Sequence, residues 1–501
     1  NGRLQYETTI AQDHNIGTMF VYSEEYWHTR STGASRNDRI HPSTSEINSA
    51  LTNVQSNSGS SASEGLRSYI GRMNYSAYDK YLLEFSFRVD GSSKFIKGHQ
   101  YGFFPTVAVG WRFTEEEFLK KYLSSWLSSG KLRASWGKLG DNSGVGRFEQ
   151  LETLTAMNYM SSDVVKGFVN KKMINKDLSW EVSTDINVGL DLGFLNNRLR
   201  TEIDFYNRLR TGMNRPSQMS IHLTGAYSAP RANIGDLLNR GLELNLTWKD
   251  KIGNVEYSVN LNGAYNRTVL KEWNEFLSRG WVYLDMPYHF LYVYENNGIA
   301  QTWQDIYNNT PQGLSPGDVI RKDLNGDGII DGKDKKAYPN IQRDRPTTTY
   351  GITLQAAWKG FDISMLFNGG LGRKDFWLTD FNNTAFADRR YASTWDHWTE
   401  PWSLENRGGE WPRLGTSTDR SDNSYWLYNM NYLRMKNIML GYNLPKKLLS
   451  KISMTNLRIY ASAENLFTVT QYPGLDPEKK NSARDLYPIN RSFSIGLNVS
   501  F

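Results

Sequence analysis

From one end of the chain to the other, apolar and polar residues alternate with a period of two, and that pattern leaves few folds open. Residues at i and i+2 share one face of a strand, so each run makes a strand with one apolar face and one polar face. Tyr81, Leu83, Phe85, Phe87 and Val89 point one way; Leu82, Glu84, Ser86, Arg88 and Asp90 point the other. Phe103, Val107, Val109, Trp111 and Phe113 continue the pattern. Val182, Thr184, Ile186, Val188, Leu190 and Leu192 oppose Glu181, Ser183, Asp185, Asn187 and Asp191. Asn196-Asn197 then turns the chain into Leu199, Thr201, Ile203 and Phe205, interleaved with Arg198, Arg200, Glu202 and Asp204. That pair is a predicted hairpin. The alternation returns at 242–248, 255–261, 352–358, 361–367, 438–444, 457–463 and 493–501. Roughly 14–16 strands follow from such runs.

At 501 residues and 57.5 kDa the chain exceeds one ordinary core, which stops growing near ~250–300 residues. It is either several domains or one large closed sheet. The strands match the ~9–11 residues that cross a bilayer when tilted. Short turns alternate with long polar connections near 27–64, 140–177, 211–235, 271–348, 370–430 and 470–490. Short turns at one end and long loops at the other are the pattern of an outer-membrane barrel. A face carrying Arg88, Asp90, Glu181, Asp185, Arg200, Glu202, Asp204 and Glu243 is hard to bury in a soluble sandwich but suits a wet lumen. Alternation also occurs in sandwiches, propellers and solenoids. The lack of a fixed repeat period disfavours the last two. Phe501 shares a face with Phe493, Ile495, Leu497 and Val499, as a closing barrel strand would.

Composition narrows the classes further. Mean hydropathy is −0.59 and no apolar run reaches a membrane helix, so a helical bundle is excluded. Aromatic residues make up 13%, and Tyr and Trp favour both strands and membrane interfaces. The net charge of +6 is spread along the chain, which argues against nucleic-acid binding. With no cysteine, there is no disulfide, thiolate–zinc site or cysteine nucleophile. The seven histidines are dispersed without metal-ligand spacing, and no nucleophile elbow or phosphate loop is present, so no enzyme is expected. The chain begins at Asn1 inside a strand and is expected to be a mature product or the C-terminal part of a longer protein.

Several stretches, in order, resemble SusC/RagA-type TonB-dependent outer-membrane transporters of the Bacteroidetes. They include Phe87-Arg88-Val89-Asp90-Gly91, Tyr101-Gly102-Phe103-Phe104-Pro105 and Lys131-Leu132-Arg133-Ala134-Ser135-Trp136-Gly137. Asn239-Arg240-Gly241, Asp323-Leu324-Asn325-Gly326-Asp327-Gly328, Tyr432-Leu433-Arg434-Met435-Lys436-Asn437 and Ala463-Glu464-Asn465-Leu466-Phe467 complete the set. The resemblance covers essentially the whole chain. It implies an all-β fold: residues 1–501 as the larger, C-terminal portion of a roughly 22-stranded transmembrane antiparallel barrel with long extracellular loops. Loop insertions are expected near 271–348 and 370–430. The implied partners are an N-terminal plug with the remaining barrel strands, a TonB-interacting segment and TonB itself, outer-membrane lipid, and a SusD-like surface lipoprotein as lid. The resemblance permits a dimer of transporter–lid pairs. Plug and TonB segment are not recognisable here and are expected ahead of this chain. The implied activity is energised import of oligosaccharides, with oligopeptides as the alternative; a non-transporting surface barrel and a soluble carbohydrate-binding protein are the other classes considered.

Two sets of candidate site residues stand out. Asp323, Asn325, Asp327, Ile329 (through its carbonyl), Asp331 and Asp334 follow the spacing of a calcium loop, with Gly328 at the sharp turn. The expectation is a structural Ca²⁺ or Mg²⁺ ordering a long loop; an ion-free Asn-Gly/Asp-Gly turn is the competing reading. The second set is aromatic. Trp281, Trp303, Trp395, Trp398, Trp402 and Trp411 lie on the two longest loops, near Asp396, Glu400 and Arg413. Such rings beside carboxylates suit sugar stacking, and peptide capture or plain loop packing nearly as well.

Overall fold

Each alternating run pairs with the next as an antiparallel strand, and fifteen of them form one sheet in sequence order. The computed structural model describes residues 1–39, 41, 43–51, 55–123, 126–160, 164–170, 172–225, 228–275, 283–287, 290–376, 400–413, 422–449, 454–479 and 489–500. The sheet begins with β1 (Gly2–Ile10), β2 (His14–Arg36), β3 (Gln55–Ala77), β4 (Tyr81–Ser92) and β5 (Tyr101–Trp111). It continues with β6 (Leu127–Asp141), β7 (Glu181–Phe194), β8 (Leu199–Thr211), β9 (Asp236–Ile252) and β10 (Val255–Glu272). It ends with β11 (Thr348–Trp358), β12 (Phe361–Leu371), β13 (Tyr432–Asn443), β14 (Asn456–Thr470) and β15 (Ser492–Ser500). Among the described residues β1 and β15 are the two edges and do not pair with each other. Phe501 lies outside the described residues.

In an up-and-down sheet alternate connections fall at opposite ends. One end holds turns 11–13, 78–80, 195–198, 253–254 and 359–360, with longer links at 112–126 and 444–455. The other holds 37–54, 93–100, 142–180, 212–235, 273–347, 372–431 and 471–491. Among the described residues no helix is long and apolar enough to cross a membrane.

Register converts the sequence alternation into two continuous faces. Ile203 sits opposite Leu190 on one side and Leu244 on the other, and Phe205 opposite Val188 and Leu242. Val107 lies between Phe85 and Trp136. This apolar face has no protein cover: Val109 and Phe205 are each 50% exposed and Ile495 85%. An uncovered apolar band of this extent marks a contact surface for a membrane or for further protein. The opposite face is laced by ion pairs. Arg133 bridges Asp191 at 2.7 Å and Asp204 at 2.9 Å, Arg208 reaches Asp185 at 2.7 Å, and Arg458 reaches Asp362 at 2.5 Å. Gly189 makes room for the first of these, because a Cβ there would lie 2.6 Å from Asp204 Oδ1 and 2.7 Å from Arg133 Cζ.

One loop expectation is corrected. Residues 27–64 are not mostly loop: β2 and β3 stay paired from Trp27↔Glu64 out to Arg36↔Gln55. The segment is rich in Ser, Thr and Gly, and both of its faces meet water, so no apolar alternation marks it as strand. Cross-strand hydroxyl contacts, Ser31 to Ser60 at 2.7 Å and Ser35 to Ser56 at 2.6 Å, accompany the pairing.

Candidate functional site

The connections after β10, β12 and β14 are far apart in sequence and converge at the long-loop end into one platform. Short paired segments frame it. Phe290–Tyr294 pairs with Lys335–Gln342, Asn296–Ile299 with Val319–Arg321, and Lys374–Phe376 with Leu427–Asn429. Leu291, Val293, Phe376, Trp426, Met430 and Tyr472 form its apolar core, drawn from all three connections. Two-stranded pieces are marginal alone; the shared core is what makes them persist.

Two buried arginines tie this core to the wall. Arg434, on β13, donates to Thr468 Oγ1, Asp476 Oδ1 and Glu478 Oε2, each at 2.8 Å. Arg373 donates to the carbonyls of Arg343 (2.9 Å), Pro477 (3.0 Å), Glu478 (3.1 Å) and Lys479 (3.1 Å). Both arginines are 2% exposed. Asp375 accepts from Arg343 Nε at 2.9 Å. Residues of the connections after β10, β12 and β14 therefore meet at one guanidinium. The sequence reading assigned these residues no role. The available signal was Arg434 amid an apolar strand and the acidic pair flanking Pro477.

The aromatic candidates divide. Trp281, Trp395 and Trp398 lie outside the described residues. Trp303 opens the short helix α2 (Trp303–Tyr307), capped reciprocally by Thr302 and Asp305, and is 56% exposed. Trp402 is 6% exposed, donates Nε1 to Gln301 at 2.8 Å and leans on Gly317. Trp411 is partly buried against the core and stacks on Trp426 at 6.4 Å between centroids. The Trp402 amide donates to the Trp411 carbonyl at 2.7 Å. Trp402 and Trp411 thus pack the platform, and neither brings an open ring face to the same place as Trp303. Beside them Arg413 grips Asp318 with two bonds, at 2.8 and 3.2 Å.

The candidate metal loop closes on itself. Asp323 accepts from the amides of Gly326 (2.6 Å) and Gly328 (2.9 Å), and Asp327 from that of Ile329 (3.0 Å). Asn325 Oδ1 accepts from the Asp327 amide at 3.0 Å. Asp334 is fully buried and accepts from the amides of Leu324 (2.9 Å) and Asp331 (2.8 Å). Asp331 accepts from the Lys333 amide at 2.7 Å. Among the described residues no group of three or more His, Asp or Glu side chains converges with metal-holding geometry. Asp334 Oδ1 also accepts from the Asn325 amide at 3.5 Å and Asp323 Oδ2 from Thr310 Oγ1 at 3.1 Å, so both of these oxygens already hold two donors. The donor set is oxygen-only, the kind a hard cation takes.

Platform electrostatics favour the ionised carboxylates. The Asp331 amide and then the Leu324 amide hold Asp334 below its ordinary 3.8, burial opposing them. The Lys336 ammonium holds Glu295 below its ordinary 4.5 and is itself raised in return. Burial beside Glu410 pushes Tyr425 up to about 12. Depressed carboxyls contribute stability that is complete above their unfolded values and lost as pH falls through the lower folded values. The platform is therefore expected to keep its protection from hydrogen exchange at pH 5–8 and lose it below about pH 4, while the wall strands hold longer. Unchanged protection of 323–342 at pH 3 would contradict this.

These features define a class: a meandering β-wall with an apolar belt, a charged opposite face and an elaborate loop platform at one end. The description "TonB dependent receptor-like, beta-barrel" matches residues 1–312, more than half of the chain, and the chain belongs to that family. The family is one of receptors, not enzymes. TonB-dependent receptor P3 of Formosa agariphila is 30% identical over 476 residues, covering 87% of this chain and 45% of that protein. TonB-dependent receptor SusC of Bacteroides thetaiotaomicron is 30% identical over 456 residues, covering 87% of this chain and 44% of that one. The RagAB peptide transporter structure shares the fold at a TM-score of 0.82 and 23% identity, covering all of this chain and 55% of that one. The chain thus spans about half the length of the relatives it matches.

Proposed function

We propose that this chain is the C-terminal wall and loop platform of a TonB-dependent outer-membrane importer, completed by a plug and further strands and covered by a SusD-like lipoprotein. The observation that carries it is the pairing of an uncovered apolar belt with a charged opposite face in one uninterrupted meander. Such a wall separates lipid from an aqueous lumen. The two unpaired edges call for more strands, since an open edge in lipid leaves backbone groups unsatisfied. The long-loop end is then extracellular, and the platform lies at the mouth.

For the cargo, the reading is an oligopeptide in preference to the oligosaccharide expected from the tryptophans. Trp402 and Trp411 are committed to packing, which removes two of the sugar-stacking faces. The surrounding platform offers paired charges and strand edges, which suit a peptide backbone. The RagAB structures with which the chain shares its fold are those of a peptide transporter. The test is mass spectrometry of small molecules that co-purify with the complete transporter and its lid in mild detergent. Bound peptides of mixed sequence are expected; bound oligosaccharides would return the assignment to sugar; absence of a lid and of any cargo would favour a non-transporting barrel.

We further propose the loop of Asp323, Asn325, Asp327, Ile329, Asp331 and Asp334 as a hard-cation site, on the spacing of its oxygen donors. Ca²⁺ there would neutralise carboxylates that otherwise repel. Titration calorimetry of the EDTA-treated complex is expected to find one saturable Ca²⁺ site that Asp323→Asn with Asp327→Asn removes. No heat at millimolar Ca²⁺ would leave the hydrogen-bonded turn as the whole account.

A further inference from the structure

The link between β5 and β6 lies at the short-turn end. It contains α1 (Glu117–Leu123), and both flanks of this helix grip the apolar face of the wall. On one side Glu116, 8% exposed, accepts from Tyr81 Oη at 2.6 Å and Trp111 Nε1 at 3.1 Å. Tyr81 and Trp111 are register partners with apolar-face parity. Phe113 packs edge-on to Trp111 and lies where a Cβ on Gly130 would be, in register with the apolar residues of β6. On the other side Trp126 stacks on Phe194, centroids 5.7 Å apart at 19°, and Phe194 continues the apolar face of β7. Between these anchors Phe118 is 64% exposed and Tyr122 74%, and the anchoring Trp126 is itself 51% exposed. Residues 118 and 122 are one helical turn apart on one side of α1. Lys120 leaves the other side of the helix and reaches Glu115 at 2.9 Å.

Three large aromatic side chains are thus exposed at the short-turn rim, on a helix whose flanks both contact the belt. That rim already carries an aromatic girdle: Trp358 pairs with Phe361, Phe361 lies 4.4 Å from Tyr442, and Lys359 sits 5.3 Å from the Trp358 ring. We infer that α1 is an interfacial anchor lying in the headgroup region of the leaflet at the short-turn end, with Phe118, Tyr122 and Trp126 inserted. The occupant is lipid, because the aromatic surface adjoins a belt that faces lipid, and Tyr and Trp rings favour this boundary. This inference rests on the membrane-wall reading above.

The absence of native cysteine in the chain makes single labels simple to place. Nitroxide labels at Phe118→Cys, Tyr122→Cys and, within the belt, Val109→Cys would be read in the complete transporter in phospholipid vesicles. Collision with oxygen and with a water-soluble nickel chelate reports depth. Oxygen is expected to dominate several-fold at 118 and 122, at a shallower depth than at 109. Nickel dominance at 118 and 122 with oxygen dominance at 109 would overturn the anchor and leave the wall intact. Labels at 118 and 122 sealed from both reagents would overturn it in favour of a protein partner. Nickel dominance at all three positions would instead refute the membrane wall.

Discussion

Replacing Arg434 by methionine is expected to destabilise the platform by about 3–5 kcal/mol, the usual consequence of removing one side of a buried ion pair. The cause is the charge left behind. Asp476 is nearly inaccessible, and Arg434 is the cation that reaches both it and Glu478. The methionine side chain fills similar space but leaves the buried Asp476 carboxylate without its cation, beside a Glu478 that is 26% exposed. Hydrogen exchange in detergent is the measure: protection should fall at 290–294 and 335–342 as well as 471–479, because the clamp region joins all three connections. The triple variant Arg434→Met, Asp476→Asn, Glu478→Gln is expected to recover much of the loss. Loosening confined to 471–479 would mean that the platform is not one unit.

Trp426→Ala should have an effect of similar size by a different route. Its side chain is 2% exposed and packs with Trp411 and, edge-on at 5.1 Å, Tyr425. Deleting a buried indole costs about 3–5 kcal/mol, the transfer loss plus the cavity. The variant should lose exchange protection across Phe290–Tyr294 and Leu427–Asn429 while the wall retains its own. Trp426→Phe, which refills part of the cavity, should lose roughly half as much. A wild-type exchange pattern in Trp426→Ala would show that the platform does not depend on its apolar core.

The wall was legible in the sequence because each of its strands stands between two unlike surroundings. Ile203 and Glu202 are neighbours on one strand yet face opposite ways, and that asymmetry is written as period-2 alternation. Where both sides are water, as at Thr29 to Arg36, the signal vanishes although the strand continues. The platform was illegible for another reason. Arg373 and Pro477 are 104 residues apart and meet only through the tertiary fold, and no local period records such a meeting. The tryptophans illustrate the same limit. Trp303 and Trp402 read alike in sequence, yet one is open and the other packed, since composition does not distinguish a ring that binds a ligand from one that fills a core. The carboxylate spacing of the 323–334 loop was visible, but its hydrogen-bonded closure depends on backbone amides that carry no sequence signature.

The most direct test of the central claim is accessibility along one strand. Single cysteines at Glu202, Ile203, Asp204 and Phe205 of β8 would be placed in the complete transporter in bilayers and treated with a charged maleimide. Positions 202 and 204 should react and 203 and 205 should not, because the first pair faces the aqueous lumen and the second faces lipid. Equal reaction at all four positions would mean that this sheet does not separate lipid from water, and the account would fail with it.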